Sequence, residues 1–131
     1  MDRDVFILSA VSEIKPVEAV RRALENIDID PSRVQDAVFG FDGSASLSDA
    51  LKITGQAGLT CQAVNVSSSL RAVFFAAQSI LSGDLELVVV IGMGKDVSTV
   101  LLLASPDSVG RFNLLPRARL VARSLSGTET A

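Results

Sequence analysis

The 131 residues contain no histidine, no tryptophan and no tyrosine, and only one cysteine. Without an imidazole these residues hold no histidine general base, no Ser-His-Asp or Cys-His pair and no histidine metal ligand, which removes most common hydrolytic chemistry. A single cysteine allows neither an intrachain disulfide nor a cysteine-cluster zinc site. It fits a reducing cytosol and leaves open a disulfide between two chains. Long apolar runs are missing as well: stretches such as Leu87–Ile91 are far too short to cross a bilayer, and no basic start with an apolar centre and cleavage site marks a leader. The expectation is a cytoplasmic protein with no metal and no membrane partner.

Charge is sparse too, at 21% of residues with a net charge of -3. That is too little for a disordered polyelectrolyte, and its sign disfavours non-specific nucleic-acid binding. Its distribution is uneven: ten of the fifteen acids fall in the first 50 residues, whereas Arg111, Arg117, Arg119 and Arg123 lie in a stretch without acids. What the chain does have is apolar content, 48% hydrophobic, enough for one core. Residues 1–125 read as a single domain and residues 126–131 as a flexible tail.

The run Val5-Phe6-Ile7-Leu8 reads as a strand buried on both faces, in the manner of a parallel sheet. From Pro16, a good first-turn residue, Val17, Val20, Leu24 and Ile27 recur every three or four positions and make an amphipathic helix. Turn chemistry at 28–33 leads into a strand through Ala37, Val38 and Phe39, ending at Gly40. After a loop with Gly43 comes a weaker helix around Leu47, Ala50, Leu51 and Ile53, which Gly55 and Gly58 shorten. Cys61 to Val66 is again extended and apolar.

Ser67, Ser68 and Ser69 supply hydroxyls that can cap a helix start, and Leu70, Val73, Phe74, Ala77, Ile80 and Leu81 keep helical spacing until Gly83. With Ala72 and Ala76, this helix is apolar over most of its circumference and is expected to lie between layers. Leu87–Ile91 and Val97–Leu103, separated by Gly92, Met93, Gly94, Lys95 and Asp96, predict adjacent antiparallel strands joined by a hairpin. Ser105-Pro106-Asp107 starts a short helix or turn. Between Leu114 and Arg123, arginines at 117, 119 and 123 alternate with apolar residues, as in a half-exposed closing strand. The fold class is therefore α/β, a mixed five-stranded sheet with helices on both faces.

Some of these features have a bland reading beside a functional one. The serines at 67–69 resemble an oxyanion or nucleophile site, yet a hydroxyl needs a base for activation and helix capping explains them. Gly92, Met93 and Gly94 lack the strand-glycine-helix order of a phosphate loop and read as a hairpin turn. The arginine alternation can pair with oxyanions, and more simply forms a solvated edge that discourages aggregation.

The segments "NIDIDPSRVQDAVFG" (26–40), "AVNVSSSLRAVFFAAQSILSGDLELVVVIGMG" (63–94), "STVLLLASPDSV" (98–109) and "NLLPRARLVARSLSG" (113–127) resemble the N-terminal half of a thiolase. The resemblance implies a thiolase-like half without the family's loop domain or C-terminal half. In the family a nucleophilic cysteine stands at the N-terminus of the buried helix, where the helix dipole favours a thiolate. Gapless matching puts Val66 at that position, followed by Ser67, Ser68 and Ser69, and valine cannot form a thioester. Cys61, five residues earlier, reads as a buried core cysteine. The family's catalytic histidines and second cysteine belong to the C-terminal half, and its loop domain is replaced here by five residues between strands.

The implied function is a truncated thiolase-like protein, catalytically inactive alone, that acts as a homo-oligomeric binding, scaffold or regulatory subunit. The alternative is one subunit of a split thiolase or acyl-CoA acyltransferase whose histidine and cysteine come from a second subunit. No cofactor is expected, a coenzyme A thioester being the ligand that an apolar pocket around Val66 would take. A half on its own leaves one apolar side of helix Leu70–Leu81 uncovered, and family dimers form along the strand matched by Cys61–Val66. Both features predict self-association.

Overall fold

The computed structural model describes residues 4–41, 47–94, 96–111 and 118–120. Five strands, β1 (Val5–Glu13), β2 (Asp36–Phe41), β3 (Gln62–Val66), β4 (Leu87–Met93) and β5 (Ser98–Ala104), make the predicted mixed sheet, and a sixth, β6 (Ala118–Leu120), adds to one edge. The order is β3-β2-β4-β5-β1-β6. Strands β2, β3 and β4 run parallel, while β4–β5, β5–β1 and β1–β6 are antiparallel. The loop at 42–46, Lys95, Arg117, Arg123 and the tail at 126–131 lie outside the described residues, as does most of the predicted closing strand.

Three helices, α1 (Pro16–Glu25), α2 (Leu47–Gln56) and α4 (Pro106–Arg111), belong to one face, and α3 (Ser69–Leu81) to the other. On the first face Ala19, Val20, Ala23 and Leu24 of α1 meet Phe39, Leu87, Ile91 and Leu102. On the second, Ala72, Ala76, Ala77 and Ile80 of α3 meet Val38, Val88, Val90 and Leu103. Each fully buried branched side chain contributes about 1.5–3 kcal/mol. This two-sided cover explains why β2, β4 and β5 read as continuous apolar runs.

Two elements differ from their sequence reading. β1 extends to Glu13, well beyond Leu8, and is antiparallel to both neighbours, so its apolar run reflects helices on both faces and not parallel pairing. A register shift between Ile7 and Ser9 breaks the alternation there, which hides the rest of the strand in the sequence. The Glu13 carboxylate closes this end by pairing with Arg22 on α1. Helix α2 runs through Gly55 and ends only beyond it, where Gly58 takes a left-handed φ of 81°.

At the start of the parallel strands, Gln35 holds the register of β2 against β4. Its side-chain oxygen accepts hydrogen bonds from the amides of Glu86 and Leu87, while its own amide donates to the Leu87 carbonyl at 2.9 Å. The opposite, carboxyl ends of β2, β3 and β4 are thereby set level, and the site forms there.

Candidate functional site at the start of helix α3

Register places Gly40 of β2 between Val66 of β3 and Gly92 of β4, so these three residues stand side by side at the carboxyl ends of three parallel strands. In open α/β sheets that end is where ligands are received. Helix α3 starts directly over it. A Cβ on Gly40 would stand 2.3 Å from the Ser68 carbonyl oxygen and 2.6 Å from the Ser69 Cα, and one on Gly92 would stand 2.6 Å from the Ser69 Oγ. Glycine at both positions is what lets the helix start sit against the sheet.

Ser68 is extended, with φ -156° and ψ 162°, and is the N-cap of α3: its side-chain oxygen accepts a hydrogen bond from the Arg71 amide at 3.2 Å. Its carbonyl accepts from the Ala72 amide at 3.0 Å, the first intrahelical bond. The capping role expected for the serines therefore falls to Ser68. Ser67 is exposed and Ser69 half-buried against Gly92. Val66 is half-buried and packs on the core beneath α3. The arrangement presents the positive end of a helix dipole beside an aliphatic side chain.

Cys61 lies elsewhere. It precedes β3, about 16 Å from Val66 at the usual rise per strand residue, and packs on the core of the opposite face. Burial, helped by the Asp36 carboxylate, pushes its thiol up to about 11, so the thiol stays protonated at neutral pH. Asp36 is itself raised by burial. The reading of Cys61 as a core cysteine thus agrees with its surroundings, and the strand places it too far away to replace a nucleophile at position 66.

Among the described residues no cluster of histidine, cysteine or carboxylate side chains can hold a metal, and no helix is long and apolar enough to cross a membrane. Gly92 and Met93 end β4, and the Gly94 amide donates to the Val97 carbonyl at 3.0 Å, closing a hairpin next to an exposed Asp96. Arg119 lies in β6. A cleft of about 500 Å³ opens between α1 and α2, lined by Lys15, Pro16, Val17, Glu18, Arg21, Ile53 and Gln56. It has no local signal in the sequence, because it arises from two helices brought together by the sheet, and it faces away from Val66.

No protein-family model matches the chain. Its sequence is 35% identical over 102 residues to acetyl-CoA acetyltransferase 2 of Arabidopsis thaliana, an alignment that takes in 72% of this chain and 25% of that protein. The chain thus spans about a quarter of the length of this curated relative. Among solved structures, cerulenin-bound OleA of Xanthomonas superposes with a TM-score of 0.72 at 11% identity, over 83% of this chain and 59% of that one. The priming beta-ketosynthase of the R1128 polyketide pathway gives 0.68 at 15% identity, over 81% and 51% respectively. A tetronic acid condensing enzyme, AbyA1, gives 0.67 at 15% identity, over 76% and 52%. The structural likenesses establish a shared fold and the acetyltransferase likeness a shared sequence: the chain belongs to the thiolase superfamily and corresponds to part of that larger fold.

Proposed function

We propose that these residues form a thiolase-like half that does not itself carry an acyl group, and that the chain serves as a homo-oligomeric binding, scaffold or regulatory subunit. The observation that carries this reading is Val66, an aliphatic residue at the strand end beside the start of α3, where the resemblance calls for a nucleophilic cysteine. An acyl thioester needs a thiolate, and the one thiol present is held protonated on the other face. A hydroxyl at Ser67, Ser68 or Ser69 needs a base to become a nucleophile, and these residues contain no histidine.

Support for self-association comes from two surfaces. Among the described residues strand β3 ends the sheet, with β2 its one neighbour, and α3 exposes Leu70, Phe74 and Phe75 opposite its buried alanines. Either surface suits a second thiolase-like half. The single protonated cysteine suits a reducing cytoplasm. Incubation with acetyl-CoA followed by denaturing intact-mass measurement tests the central point: the mass is expected to stay unchanged. A stoichiometric acetyl increment on the chain alone would overturn the reading. An adduct or turnover that arises only with a second acyltransferase subunit would favour the split-enzyme alternative.

A further inference from the structure

We draw no further inference here: the strongest candidate, the cleft between α1 and α2, carries none, because its Arg21 is already engaged by Glu18 and by the Gln56 carbonyl and nothing in the structure shows what would occupy it.

Discussion

Replacing Val66 by cysteine in a Cys61→Ser background tests what the start of α3 does to a group placed beside it. The thiol of Cys61 in the unaltered chain titrates at about 11, so at pH 7.5 only about 3 in 10,000 molecules carry a thiolate. A thiol at a helix N-terminus titrates in the range of about 3.5–7.5. At the upper end of that range half of it is ionised at pH 7.5, a gain of about 1,600-fold in thiolate. Intrinsic nucleophilicity falls with pKa, with a slope of about 0.45, which over 3.5 units costs about 40-fold. The net expectation is labelling by iodoacetamide about 40-fold faster in Val66→Cys than at Cys61 in the unaltered chain. The pH profile carries the sign: the introduced thiol reaches half its maximal rate below pH 8, and Cys61 does so only near pH 11. Equal rates, or a midpoint above 9 for the introduced thiol, would show that the helix start exerts no pull on position 66 and would refute the reasoning.

Further outcomes follow from the same geometry. Gly40→Ala drives a Cβ to 2.3 Å from a backbone carbonyl and is expected to cost about 3 kcal/mol in urea unfolding, whereas Gly92→Ala meets the movable Ser69 side chain and is expected to cost about 1 kcal/mol. The reverse ranking would contradict the described approach of α3 to the sheet. Ser68→Ala removes the cap on the Arg71 amide and is expected to lower stability by about 1 kcal/mol; no change would mean that the cap is not formed in solution. The unfolded chain loses the Cys61 proton near its ordinary value of 9.0 and the folded chain near 11, so between these values the unfolded state binds fewer protons and stability falls as pH rises. Unfolding curves across that window are expected to lose this slope in Cys61→Ala, and an unchanged slope would assign it to other groups.

Periodicity carried most of the fold. Helices α1 and α3 are legible because their apolar residues recur at three and four, and β2, β4 and β5 because cover on both faces leaves no polar alternation. β1 was legible only to Leu8, since a register shift and the polar residues Ser9, Ser12 and Glu13 imitate a loop while antiparallel partners hold the strand together. The serines at 67–69 were legible as caps, and the structure identifies Ser68 as the one that acts. Gly40 carried a local sign of a tight backbone position, but its pairing with Gly92 beneath α3 depends on strand register, which no local pattern encodes. The cleft between α1 and α2 depends on packing between distant segments and has no local signal.

Native mass spectrometry of the 131-residue chain after incubation with acetyl-CoA bears most directly on the central claim, because one spectrum reads both assembly and acylation. The expected species has twice the 13.8 kDa chain mass and no acetyl increment. A chain that carries one acetyl group per copy would contradict a non-acylating half, whatever its assembly.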